Sequence, residues 1–393
     1  MPFGMNLRRF IAYLVFGFAL VAGPLAVFVK AQSPAITIGC LADLSGPYAS
    51  AGTAIYEALR AYVKALNDSG GIDGINIELL VADTRGTSQG ILAGASKLKA
   101  KGAIAFIGPS SPANVLTLRK YAETYSIPLI ITAGSSPILT FRGIKTKWTF
   151  SSVMNLDAEI KALFKAFKKK GYRTVGLLLE SKKHFREAAL WIKGYCPEFG
   201  LQIGCLSAFY PNRQDLAMKY EYMNDCMPDI VLLWAEPETS KTAISVLPKL
   251  HVPVAVSHDL CSSSLFTMKI SGSLVYVVLP RVIAKTFVAN IKQNSQILFF
   301  LSLYPRADFI SLSTRDQFSV AASWDALRIV LHAVRTHKAF SRERLRDALE
   351  GGAINNFPGL IGTFTFNARN HSGLKASSLV VLKGFRNRWT VFH

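Results

Sequence analysis

From residue 36 to residue 280 the chain alternates short apolar runs with amphipathic helical stretches, and that alternation leaves few folds open. ITIGCLADL (36–44) is a continuous apolar run with β-branched residues, the pattern of a strand buried on both faces. Residues 53–68 place Ile55, Ala58, Leu59, Tyr62, Val63 and Leu66 on one helical stripe. GGIDG (70–74) turns the chain into a second strand, INIELLVAD (75–83). A helix with Ile91, Ala95 and Leu98, the run AIAFIG (103–108), a helix to about residue 126 and PLIIT (128–132) complete a βαβαβαβ series. Such a series calls for a parallel sheet covered by helices on both faces. Past TFSSV (149–153) the scheme restarts, with helices over 156–170, 184–199, 214–224 and 239–250. Strands over 174–180, 201–210, 229–235, 253–258 and 274–280 alternate with and follow them. The last third changes character, with a long helix (316–336) and a shorter one (341–350) ended by Gly351-Gly352. Short strands of antiparallel type follow at 362–366, 377–383 and 388–392. The expected fold class is therefore α/β, two doubly wound parallel-sheet lobes. No Pro- or Ser-rich linker separates them, which implies several chain crossings between the lobes.

The 393 residues suit two domains, and at 50% hydrophobic residues both can have cores. Lys and Arg number 45 against 25 Asp and Glu, a net charge of +20. Its densest runs, KAFKKKGYR (165–173) and SRERLRDALE (341–350), sit on helical patterns and read as solvated faces. Nucleic-acid binding needs a reading helix or an aromatic–basic platform, and neither is present in the sequence. At the N-terminus, MPFGMNLRR precedes 20 uncharged residues, Phe10 to Val29, and then Lys30-Ala31-Gln32. A basic n-region, an apolar h-region and a small-residue site make residues 1–31 a secretory signal, cleaved to leave Gln32 first. The alternative is an uncleaved anchor, since 20 apolar residues can span a bilayer. Either way the expected location of the rest is periplasmic. Of the five cysteines, Cys196 and Cys205 could close a short loop, and buried free thiols are the competing expectation.

Ligands of open parallel sheets bind beyond the carboxyl ends of the strands. Beyond the first strand lies the loop 41–52, LADLSGPYASAG, whose glycines let backbone approach a ligand and whose Tyr48 can reach into a cleft. Beyond the third comes Gly108-Pro109-Ser110-Ser111-Pro112, and beyond the fourth Thr132-Ala133-Gly134-Ser135-Ser136-Pro137. Serine hydroxyls and bare N–H groups at helix starts hold carboxylates well. In the second unit the strand ends carry Glu180 with His184, Trp234 with Glu236, and His258-Asp259. An acidic group there suits a ligand ammonium, and Trp234 an apolar pocket wall. No G-x-S-x-G, H-E-x-x-H, G-x-G-x-x-G or G-K-[ST] motif occurs, so no enzyme chemistry, metal or cofactor is expected.

Several stretches resemble the periplasmic substrate-binding proteins of branched-chain amino-acid ABC transporters, the type I periplasmic-binding fold. They are LSGPYASAGTAIYEALRAYVKALNDSGGIDG (44–74), VADT (81–84), FIGPSSPANVLTLRKYAETYSIPLIITAGSSPILT (106–140), SWDALRIVLHAV (323–334) and FPGLIGTFTFNARNHSG (357–373). The resemblance implies two lobes joined by three hinge crossings: 32–153 plus about 282–363, and 154–281 plus about 364–393. It implies a monomer that traps an amino acid or related carboxylate between the lobes and delivers it to ABC permease subunits. The family's carboxylate-holding loops fall on 108–113 and 133–136, giving Ser110, Ser111, the N–H of Ala113, Gly134, Ser135 and Ser136. The chain has Pro112 where Ser or Thr is usual, and proline cannot donate from its nitrogen. It also has His184-Phe185 where the family often has Tyr-Gly. The ammonium-binding acid falls at Asp259, and Glu236 takes a cleft aromatic position. A sensor or receptor built on the same bilobed domain is the competing function. A cytoplasmic transcription regulator sharing the lobe fold is disfavoured by the apolar N-terminus.

Overall fold

The apolar runs of the first unit form one parallel sheet in the computed structural model, which describes residues 35–133, 146–268, 274–386 and 388–392. Of Lys183, His184 and Glu187 only the backbone is described. The strands are β1 (Ala35–Ala42), β2 (Asn76–Asp83), β3 (Ala105–Ile107), β4 (Leu129–Ile131) and β5 (Thr149–Ser151), in the order β2-β1-β3-β4-β5. The second unit supplies β6 (Thr174–Glu180), β7 (Gln202–Phe209), β8 (Ile230–Trp234), β9 (Val254–Val256) and β10 (Val275–Leu279). They run β7-β6-β8-β9-β10, so both units wind in the same order although their sequences show no repeat. A two-residue pair, β11 (Phe357–Pro358) with β12 (Thr363–Phe364), follows. Then β13 (Val380–Phe385) and β14 (Arg388–Val391) extend the second sheet, each antiparallel to its neighbour.

Helix ends obey local chemistry. The helix Leu156–Lys170 starts where the Asn155 side chain accepts from the Ala158 N–H at 2.7 Å, and it ends on Gly171 at φ 84°. Asp157 and Glu159 in its first turn and three lysines in its last complement the helix dipole. The helix expected over 239–250 is broken into a helix Ser240–Val246 flanked by 3-10 turns, because Pro248 has no N–H to donate to a preceding carbonyl. The strand expected from residue 377 begins only at Val380, after a 3-10 turn Ala376–Ser378. Residues 281–313, to which the sequence pattern assigned no element, hold the short helices Arg281–Phe287, Ser295–Leu303 and Arg306–Ser311. All five cysteines are free thiols, only Cys226 being exposed. The expected signal segment lies outside the described residues. Among the described residues no helix is long and apolar enough to cross a membrane.

The chain passes between the sheets three times: from β5 to β6, from β10 towards the long helix Thr314–His337, and from β12 to β13. The long helix lies against the helix Ala49–Asp68 of the first unit, with the Tyr62 and Trp324 rings edge to face at 5.0 Å. Two passages are tied together, the Ser151 N–H donating to the His371 carbonyl at 2.9 Å and Asn155 Nδ2 to the Ser372 carbonyl at 2.6 Å. Ser152 Oγ donates to the Ala322 carbonyl at 2.8 Å, which fastens the first passage to the long helix.

Candidate functional site

Each sheet reverses its winding between the first and third strands of its unit, β1 and β3 in one, β6 and β8 in the other. Open α/β sheets bind ligands at such switch points. At the first, the Asp43 N–H donates to Ser110 Oγ at 2.8 Å. The hydroxyl is thereby placed with its own proton still to give. Asp43 is buried and accepts from the Gly86 N–H at 2.8 Å and from Thr84 Oγ1. Gly108, at φ +138°, must be glycine, since a Cβ would stand 2.5 Å from the Leu41 carbonyl oxygen. Beyond it Ser111 Oγ accepts from Asn114 Nδ2 at 2.9 Å and the 3-10 turn Pro112–Asn114 begins. The Ala113 N–H stands in that first turn, where helical donors lack intrahelical partners. Thr132, after β4, donates to the Pro109 carbonyl at 3.1 Å and braces the loop.

At the second switch point the strand-end carboxylate takes the bracing role. Glu180, 2% exposed, accepts from the Glu236 N–H and from Thr239 Oγ1, both at 2.9 Å, with Lys182 Nζ at 3.4 Å. Beyond the end of β9, Glu159, fully buried, holds residue 258 twice: its carboxylate accepts from the His258 N–H at 2.8 Å and meets Nδ1 at 2.6 Å. Burial alone would lower the His258 pKa. The Glu159 and Asp259 carboxylates, with the Glu159 hydrogen bond, outweigh it and push the imidazole up to about 9. Burial pushes the Glu159 carboxyl up, and the His258 charge pulls it back.

Between these edges lies a cavity of about 350 Å³. Tyr48, Ser110, Pro112, Ala113, Thr132 and Ala133 face it from the first edge. Glu236, Glu238, His258, Asp259 and Cys261 face it from the second. The long helix adds Arg315, Phe318, Ser319 and Ala322, positions three and four apart that share one helical face. Arg315 Nη2 lies 2.6 Å from Glu238 Oε1 and so links that helix to the second edge.

Of the residues expected at the site, Tyr48, Ser110, Ala113, Glu236 and Asp259 line this cavity. Ser111 is fully buried and spends its oxygen on Asn114. Trp234, expected as a pocket wall, is instead 1% exposed in the core of the second sheet, because β8 lies between β6 and β9 and every one of its residues is buried. Gly134, Ser135 and Ser136 lie outside the described residues, as does the His184 side chain. The glycines of the 41–52 loop serve packing: a Cβ on Gly46, at φ +83°, would stand 3.2 Å from the Arg85 carbonyl oxygen, and one on Gly52 1.9 Å from the Asp43 carbonyl oxygen, so Gly52 lets the helix Ala49–Asp68 close on the chain after β1. Arg315, Phe318 and Glu238 were missed. A search of strand ends cannot find a residue on a returning helix, and only the position of Arg315 at that helix's first turn hints at it.

The Periplasmic binding protein family model matches residues 35–251. The Leu/Ile/Val-binding protein BraC3 of Rhizobium johnstonii is 27% identical over 137 residues, 34% of this chain and 37% of that protein. The match thus spans well under half the length of that relative. Among solved structures, a putative branched-chain amino acid ABC transporter protein from Rhodospirillum rubrum superposes with a TM-score of 0.72 at 18% identity. It covers 91% of this chain and 99% of that one. A solute-binding protein from Rhodopseudomonas palustris in complex with benzoate gives 0.64 at 18% identity, over 91% and 95%.

Proposed function

We propose, from the premise that the chain belongs to the periplasmic binding protein family, that it captures a small amphipathic carboxylate and delivers it to an ABC transporter permease. The family is one of binding proteins, not enzymes. The observation that carries the reading is the asymmetry of the cavity. One edge presents neutral donors, Ser110 Oγ–H and the Ala113 N–H, and the other presents the carboxylates of Glu236, 3.8 Å from Lys182 Nζ, and Asp259, 3.7 Å from His258 Nε2. An amino acid fits that polarity: its carboxylate on the first edge, its ammonium on Asp259 and Glu236, its side chain between Tyr48 and Phe318. The lobes are 32–153 with about 282–363, and 154–281 with about 364–393, closing about the three passages in an exported monomer.

Thermal unfolding of the purified protein against amino acids, amides and aromatic acids tests this. A ligand at 100 times its dissociation constant adds roughly 2.7 kcal/mol, a shift of several degrees. Replacing Asp259 by Ala should then weaken binding of that ligand by about 2–5 kcal/mol. An unchanged affinity removes the ammonium role and favours acids without an amine, the class of the benzoate held by the Rhodopseudomonas protein.

A further inference from the structure

Against the second sheet lies another concavity, a groove of about 880 Å³ that shares no lining residue with the cleft. It runs between the helix Leu156–Lys170, the segment 288–292 and the β13–β14 hairpin. Its charge is one-sided. Lys165, Lys169, Arg281 and Lys292 line it, and among the described residues no carboxylate does. None of these four cations is in an ion pair among the described residues, whereas Lys161 on the same helix reaches Asp157 at 3.0 Å. Lys165 and Lys169 lie one turn apart, where like charges repel unless an anion sits between them. Ala162 and Ala166, on the same helix, keep the wall low.

Val288, Ile291, Leu379, Val381 and Trp389 give the groove an apolar part, and Asn290, Ser377 and Thr390 line it with neutral polar groups. The Trp389 ring lies 4.6 Å from that of Phe266, and its Nε1–H is buried without an acceptor among the described residues. Cations beside an apolar part match a molecule with an anionic head and a hydrocarbon chain. The concavity suits a single inserted chain, since a flat bilayer surface would leave it unfilled.

We propose that this groove is a second ligand site, for a single-chain anionic amphipath such as a fatty carboxylate free in solution. Its head meets Lys165 and Lys169, one turn apart, and its chain lies on Ile291, Val381 and Trp389.

Calorimetric titration of the intact protein with decanoate tests it, with butanoate as the head without the chain and decanol as the chain without the charge. Decanoate should bind one to one, and each control at least tenfold more weakly. Both lysines are exposed, so the double variant Lys165→Glu, Lys169→Glu should fold normally and bind decanoate at least tenfold more weakly. Equal binding of decanol or undiminished binding by the double variant overturns the proposal. So does a protein that ignores decanoate and binds phosphatidylglycerol vesicles instead.

Discussion

The two sheets wind in the same order and close their switch points with the same device, a side chain accepting the N–H of the residue that leaves a neighbouring strand. What differs is the side chain. At β1 and β3 it is the Ser110 hydroxyl, and at β6 and β8 it is the Glu180 carboxylate. The first edge thus faces the cavity with hydroxyls, backbone and small residues, its buried Asp43 carboxylate turned to Gly86 and Thr84, and the second faces it with carboxylates and a buried imidazole among them. Shared topology fixes where a ligand can sit, and the residues beyond the strands fix what it must be. An edge built of ions is also the costlier one to damage, because a charge left alone in the interior has no water to turn to.

That contrast orders four measurements. The largest effect should come from His258→Ala, which strands the buried Glu159 and should cost about 3–5 kcal/mol in denaturant unfolding. His258→Gln, which can still donate to Glu159, should cost less. Next is pH. His258 titrates near 6.5 when unfolded and at about 9 when folded, so the folded state binds more protons between those values. Its contribution is complete below about pH 6.5 and is lost as pH rises through 9, by roughly 3 kcal/mol at most. In His258→Gln this decline should vanish, and a slope unchanged by the variant assigns it to another group. Ser110→Ala, which leaves the Asp43 N–H buried without an acceptor, should cost about 1–3 kcal/mol. Should it exceed His258→Ala, the ranking of the two edges is wrong. The smallest effect belongs to Arg315→Ala or Glu238→Ala. Their ion pair is partly exposed, at 39% and 64%, and each should change stability by no more than about 1 kcal/mol.

The parallel sheets were legible because their strands are apolar runs and their helices keep a stripe, both properties of neighbouring residues. Tyr48, Ser110 and Asp259 were legible because they come just beyond strand ends, where a sheet's edge is set by chain order alone. Trp234 was misplaced by the same rule: it is the last residue of β8, still within the covered strand, and one position separates core from edge. Arg315 was illegible because it reaches the cleft from a helix whose sequence neighbours belong to neither edge. Nor could Gly52 announce its purpose, since its partner is a carbonyl nine residues earlier, brought close only by the turn between strand and helix.

The threefold passage of the chain has a consequence for the order of synthesis. The first sheet is complete by residue 151, yet the long helix against which Tyr62 rests arrives only in the last quarter of the chain. A nascent chain therefore carries an unsealed flank through most of its translation, and neither half can mature while the other is still being made. A cut at any single point from β1 to β14 would either split a sheet or part the first sheet from the long helix that covers it.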